Sequence, residues 1–324
     1  MKKAIIFVLI MSLLLAACSS NNEETPTENT EGDNQVTITG VNGDVTLDAP
    51  AQKVVVLEWT YAENLLALGI QPTGMADIAS YGDYVNIEPQ LDESVTDVGG
   101  RQEPNLEVIA SLEPDLIIGV SFRHNEMLSE LESIAPTVIF NPYPEDESIN
   151  LYEEMEITFN EMAKAVGKEA EAIAVLETLE TKYEAAKAEI EAANLATKDV
   201  ILTLAYSGAQ APEIRVFTPH SMASIILERI GLNNVHEPDQ FEIFGSSTFN
   251  VEGLVKYEEA NYLYTVPDED NIYENQLKGN KVWENLAFVK EERVYDLGPD
   301  TWLYGGPLSA GTLIEQITDT LVNE

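Results

Sequence analysis

The chain has 324 residues, 57 acidic against 17 basic, and a formal charge of −40, which makes nucleic acid and anionic lipid surfaces poor partners. Its single cysteine, Cys18, leaves no disulfide framework and no thiol chemistry in the folded part. Three histidines without zinc-type spacing, no Gly-rich phosphate loop and no Gly-x-Ser-x-Gly elbow leave catalysis and metal ligation without a motif.

Lys2 and Lys3 precede an apolar run from Ala4 to Leu15 that is too short to span a bilayer, and Leu15-Ala16-Ala17-Cys18 closes it. Residues 1–18 read as a signal peptide. The cysteine directly after Leu-Ala-Ala resembles the lipobox of bacterial lipoproteins, which makes Cys18 the lipidation site. Residues 19–35 are rich in Asn, Glu, Thr and Ser, with no aromatic or aliphatic residue, and read as a disordered acidic tether. Residues 36–324 suit one large or two medium domains.

Residues 36–150 form the first lobe. Val36 to Leu47 alternates as a hairpin turning at Asn42-Gly43. A buried strand, Lys53 to Leu57, runs into Glu58-Trp59-Thr60-Tyr61 and a helix that ends at Gly69. Further strands lie near Thr73 to Met75, at Asp115 to Val120 and at Thr137 to Phe140, with helices at 106–112 and 125–133 between them. Such alternation predicts a mostly parallel sheet, whose ligands sit beyond the carboxyl ends of the strands. Trp59, Tyr61, Arg101 and Arg123 all fall at those ends.

No proline and one glycine, Gly167, occur between Glu145 and Ser207. Apolar residues at Leu151, Met155, Phe159, Met162 and Val166 make one helical stripe, and Ile173, Leu176, Leu179, Tyr183, Ala186 and Ile190 make a second. Gly167 separates the two. The helix 151–167 joins two α/β lobes, the second spanning 168–324.

In that lobe Val200 to Ala205 and Ile214 to Thr218 are strands, and Pro219-His220-Ser221 opens a helix to Ile230. A helix from Asn250, a strand from Ala260 to Val266, a late strand at Arg293 to Leu297 and a terminal helix from Ser309 follow. Asn105-Leu106-Glu107 and Asn250-Val251-Glu252 echo each other, each an Asn cap with a Glu in the first turn. They are either two ordinary capped helices or a matched pair on one molecular face; their repetition in both halves favours the pair.

Arginine is scarce, with five in all. Arg229 ends a helix before Gly231 and is expected on its last carbonyls, and Arg293 in a surface ion pair. Arg101, Arg123 and Arg215 lie where a cleft between lobes would form, and guanidinium groups grip carboxylates bidentately. With Trp59, Tyr61, Tyr206, Trp302 and Tyr304 they outline an anion-binding pocket with aromatic walls.

The segments Val98-Gly99-Gly100-Arg101, Pro104-Asn105-Leu106-Glu107, Leu112 to Ile117 and Phe122-Arg123-His124 carry a resemblance. So do Arg215 to Thr218, Ser221, Ile230-Gly231-Leu232, and Trp302 with Gly305-Gly306-Pro307. Together they resemble the lipid-anchored substrate-binding proteins of ABC importers for iron–siderophore complexes, nearest the ferric citrate and citrate- or hydroxamate-type binders. The resemblance implies two Rossmann-like lobes on one rigid helix, a monomer, and little closure on the ligand. It implies an anionic ferric–siderophore complex bound by Arg101, Arg123, Arg215 and His220, with Trp302 and Tyr304 beside it. Glu107 and Glu252 would dock on the permease dimer. Iron would arrive chelated, so no cofactor and no protein metal ligand is expected, and no enzyme activity. Haem or cobalamin is the alternative ligand, with His220 or Tyr206 as the axial group for haem; a lipid-anchored hydrolase is the remote alternative.

Overall fold

The computed structural model describes residues 34–323. The expected signal peptide, the lipidation site Cys18 and the tether up to residue 33 lie outside the described residues. No described helix is long and apolar enough to cross a membrane.

The first lobe opens with the expected hairpin, β1 (Val36–Gly40) against β2 (Gly43–Leu47), with Val36 opposite Leu47. Asn42 at its turn clips the hairpin to the sheet. Its Nδ2 donates to the Thr137 carbonyl at 2.9 Å, and its Oδ1 accepts from Ile139 N–H at 2.9 Å. The sheet itself comprises β3 (Val54–Val56), β4 (Gly74–Met75), β5 (Thr96–Asp97), β6 (Leu116–Val120) and β7 (Thr137–Phe140). All five are parallel, in the order β5-β4-β3-β6-β7. β3 and β6 are apolar throughout and wholly buried, as central strands covered on both faces must be.

The second lobe contains β8 (Asp199–Ser207), β9 (Pro212–Phe217), β10 (Asn233–Asn234), β11 (Ser246–Phe249), β12 (Asn261–Thr265) and β13 (Val294–Asp296). Their order is β11-β9-β8-β12-β13, with β10 also on β8. Here the sheet is mixed rather than mostly parallel. Gly208 N–H donates to the Ala211 carbonyl at 3.1 Å, closing a tight hairpin that makes β9 antiparallel to β8, because so short a connection cannot cross over. β11 then adds antiparallel to β9.

The linker helix runs Leu151–Val166. Asn150 accepts from Tyr152 and Glu153 N–H while the Glu153 carboxylate accepts from Asn150 N–H, a reciprocal cap; Gly167, at φ 67°, ends the helix in the left-handed region. Leu151, Tyr152 and Met155 are packed into the core of the second lobe, whereas Phe159, Met162, Ala163 and Val166 belong to the core of the first. At 1.5 Å per residue its length is about 24 Å, a single stiff rod with one end in each lobe. The following helix, Glu169–Ala193, buries Leu179, Tyr183, Ala186 and Ile190 as its stripe predicts. Ile173 departs from that stripe and is exposed; Ala172 takes the buried position instead. Arg229 does not bind its own helix end. It pairs with Glu180 and stacks 3.8 Å from the Tyr183 ring centroid, tying two helices together.

A second joint links the lobes. Glu63, wholly buried on the helix Trp59–Ala67, reaches the start of the terminal helix Pro307–Asn323. Its Oε1 accepts from Gly306 and Ser309 N–H, both at 2.8 Å, and its Oε2 from Ser309 Oγ–H at 2.6 Å. An added Cβ would overlap Ser309 and Glu63 at Gly305, and Asn64 Oδ1 at Gly306. The paired glycines are therefore what lets the terminal helix dock, which gives Gly305-Gly306-Pro307 a mechanical role beside the ligand segment.

Candidate ligand-binding site

Three parallel-strand ends build the first wall. Glu58 follows β3, Arg101 lies beyond β5, and Arg123 sits in the helical turn Ser121–His124 directly after β6. Because β3 and β6 pair in register, Val56 beside Ile118, the groups leaving their ends converge. Glu58 Oε1 accepts from Arg101 Nη1 at 2.9 Å and Oε2 accepts from Arg123 Nε at 3.0 Å. Asp77, at φ 59°, adds a second carboxylate, accepting from Arg101 Nε at 3.2 Å. Trp59 lies beneath, its ring centroid 3.6 Å from the Arg101 guanidinium carbon, and its indole N–H donates to the Asp77 carbonyl at 3.1 Å. Each arginine is thus set by charge, hydrogen bond and aromatic face together.

His124 secures this wall from behind. Buried, it accepts from Val120 N–H at Nδ1 (2.9 Å), and its Nε2 lies 2.8 Å from the Arg101 carbonyl, so Nε2 carries the proton and donates. Burial, foremost, holds its imidazole below the usual histidine range. The folded state therefore binds fewer protons here than the unfolded chain. The stability gained is complete above about pH 6.5 and declines as the pH falls below it. Protonation would set the Nδ1–H and the Val120 N–H face to face and break that bond. The stability difference between wild type and His124→Gln, from urea midpoints between pH 7.5 and 5, should shrink as the pH drops; a constant difference would refute this role.

The second wall comes from the antiparallel part of the other sheet. On β9, Ile214 and Val216 face the core, so Arg215 points the opposite way, beside Thr248, its partner on β11. Arg215 Nη1 donates to Tyr304 Oη at 3.5 Å. Trp302 packs edge-on to Trp59 at 5.4 Å between ring centroids, so the aromatic wall is continuous between lobes. Thr60 Oγ–H donates to the Tyr304 carbonyl at 2.9 Å and adds a direct bond. At the rim, Phe122 from one lobe and Phe244 from the other meet Tyr143 at 5.5 and 5.1 Å between centroids. Between the walls lies a cavity of about 630 Å³ lined by Glu58, Arg101, Arg123, Arg215, Trp302 and Tyr304 among others, the size class of small-molecule sites.

A family model described as "Periplasmic binding protein" matches residues 54–301, and so spans both walls of this cleft. The chain belongs to the periplasmic binding protein family. It is 29% identical to the Fe(3+)-citrate-binding protein YfmC of Bacillus subtilis, over 99% of this chain and 97% of that protein. It is 30% identical to the putative ABC transporter substrate-binding lipoprotein YhfQ of the same organism, over 93% and 92% respectively. The crystal structure of the Fe3+-Desferal-bound siderophore-binding protein FhuD from Vibrio cholerae superposes with a TM-score of 0.74, at 31% identity, over 83% of this chain and 97% of that one. The resemblance to siderophore-binding proteins is thus shown by sequence and by fold. The family's members are substrate-binding proteins, and this chain is one, not an enzyme.

Within this periplasmic binding protein, the expected site residues divide. Arg101, Arg123, Arg215, Trp302, Tyr304 and Tyr61 line the cleft, Tyr61 from its buried floor with its hydroxyl inside. Trp59 is buried and acts as a platform under Arg101, not as an open wall. Tyr206 is displaced from the lining: it stands 5.0 Å from Arg215 and donates from its hydroxyl to Glu213 at 3.0 Å, because β8 and β9 turn back as a hairpin. His220 is also off the lining. Its carbonyl accepts from Leu151 N–H at 3.0 Å and its ring meets Phe241, so it fixes the start of the linker helix. Neither group offered as an axial ligand for haem thus lines the cleft. Among the described residues no cluster of three or more His, Cys, Asp or Glu is placed to hold a metal ion.

Sequence reasoning missed Glu58, Glu242, Phe122, Tyr143 and Phe244, all in the lining. Glu58 was discoverable: it is an acid directly after a wholly apolar strand, where a charge needs a partner. The three arginines expected to outline an anion-binding pocket are not free of partners: Glu58 and Asp77 offset Arg101 and Arg123. Glu107 and Glu252 are both exposed. Asn105 and Asn250 cap as expected, although the second segment, Val251–Tyr257, winds as a 3₁₀ helix.

Proposed function

We propose that this protein captures a ferric–siderophore complex in the inter-lobe cleft and hands it to an ABC permease. The observation that carries this reading is the convergence of Arg101, Arg123 and Arg215, from two lobes, on one aromatic-walled cavity. Iron arrives already chelated, and the guanidinium groups donate to the anionic oxygens of the chelating groups while aromatic faces meet the ligand's rim. The relatives point the same way, one named for Fe(3+)-citrate and one solved with Fe3+-Desferal. The linker rod and the Glu63 joint favour a cleft that changes little on binding.

On this reading the protein works outside the cytoplasm as a monomer, anchored through a lipid on Cys18. Exposed Glu107 and Glu252, one per lobe, engage basic residues of the dimeric permease. Lys substitution at both should leave ferric-chelate binding by the purified protein unchanged while reducing cellular uptake of radioactive iron at least about tenfold, the scale of losing two interfacial charges. Uptake at the wild-type rate would remove the docking assignment. Saturable quenching of tryptophan fluorescence by a ferric chelate tests capture itself, because Trp59 and Trp302 stand in or under the cleft.

A further inference from the structure

We propose that Glu58 sets the charge of the chelate this cleft accepts, by pairing with two of its three arginines and, together with Asp77, offsetting their charge, so that a near-neutral ferric complex is preferred over a strongly anionic one. This rests on the ferric-chelate reading above. Both carboxylate oxygens of Glu58 are committed: Oε1 to Arg101 Nη1 at 2.9 Å and to Trp59 N–H at 3.1 Å, Oε2 to Arg123 Nε at 3.0 Å. Asp77 occupies Arg101 Nε, and the Gln102 side-chain oxygen accepts from Arg123 Nη1 at 3.2 Å. Nε and Nη1 of each guanidinium are therefore engaged, one donor on each of its two bidentate edges. A polycarboxylate ligand that sought a bidentate grip there would have to expel a buried carboxylate, leaving it unpaired at high cost. Counted over the site, Arg101, Arg123 and Arg215 face Glu58, Asp77 and Glu242, and the sum is zero.

The rim gives an independent indication. Phe122 is 46% exposed and Phe244 55%, and both line the cleft on either side of Tyr143. Exposed rings at a mouth favour a ligand that brings hydrocarbon to cover them. Three hydroxamate groups, each singly charged, cancel the charge of ferric iron, and the methylene chains between them supply such hydrocarbon. Ferric citrate retains free carboxylates and has little apolar surface. The cleft matches the first chemistry.

The test is a fluorescence titration of the full-length wild type and of Glu58→Gln with ferric desferrioxamine B and with ferric citrate. Glutamine keeps an acceptor for Trp59 N–H and removes one negative charge, and thermal melting checks that the variant is folded. Wild type should bind ferric desferrioxamine B at least about tenfold more tightly than ferric citrate. Glu58→Gln should move that ratio about tenfold towards citrate, the scale of one charge acting over several ångströms in a partly solvated site, and the gain should fade with added salt. A wild type that prefers ferric citrate, or a variant that shifts both ligands equally, overturns the charge filter and leaves ferric capture standing. A folded wild type that binds neither chelate overturns ferric capture itself.

Discussion

Arg215→Ala should weaken ferric-chelate binding by about a hundredfold and leave the fold intact. Among the cleft arginines it alone has no carboxylate within ion-pair distance among the described residues: Arg101 and Arg123 share Glu58, while Arg215 meets the Tyr304 hydroxyl and the Tyr206 ring. Its charge is available to the ligand in a partly solvated site walled by Trp302, Tyr304 and Phe244. A charge-assisted hydrogen bond contributes about 1.5–3 kcal/mol, so losing it together with the Coulomb attraction corresponds to one or two decades in Kd. Arg229→Ala is the control. That guanidinium packs on Tyr183 away from the cleft, so its removal should lower the urea midpoint and leave Kd unchanged. Equal losses of affinity from both variants would mean that general acidity of the surface, and not the cleft, governs binding.

How far this site could be read before folding depends on the range of the interactions that make it. The linker helix was legible because both its ends are coded locally, by Asn150 with Glu153 and by Gly167. Arg101 and Arg123 were legible because parallel strands deliver ligands to their carboxyl ends. Tyr206 was misplaced because strand-end logic fails on an antiparallel hairpin, where facing is decided residue by residue; His220 rested on the resemblance, and its carbonyl instead holds the start of the linker helix. Glu58 carried a local signal, but its partners could not be picked out locally; the register of β3 against β6 brings its carboxylate to Arg123, and the loop beyond β5 brings Arg101, both tertiary facts. Gly305-Gly306 entered the sequence reading only as part of the resemblance, yet the backbone there must approach Glu63 and Asn64 from the other lobe. Local patterns specified the elements. Pairings between distant elements, such as Glu58 with Arg101 and Arg123, specified the site.

Glu63 makes the largest demand on stability. Its carboxylate is enclosed and accepts from two backbone N–H groups and one hydroxyl at the start of the terminal helix, where the helix dipole also favours negative charge. Burial pushes the Glu63 carboxyl above its usual range despite those bonds, so desolvation is the leading influence on its ionisation. Alanine would leave buried donors without an acceptor and open a void between the lobes. At about 1–3 kcal/mol for each stranded donor, partly recovered by relaxation or an entering water, the expected loss is about 4 kcal/mol. Glutamine keeps one oxygen for both N–H groups, and the Ser309 hydroxyl can rotate to accept from the new amide. Glu63→Gln should therefore lose about 1 kcal/mol. Urea unfolding followed by circular dichroism would separate the two. If alanine matched glutamine, the hydrogen bonds at this joint would contribute nothing beyond volume, and the fixed spacing of the lobes would rest on the linker helix, the Trp59–Trp302 packing and the Thr60–Tyr304 bond.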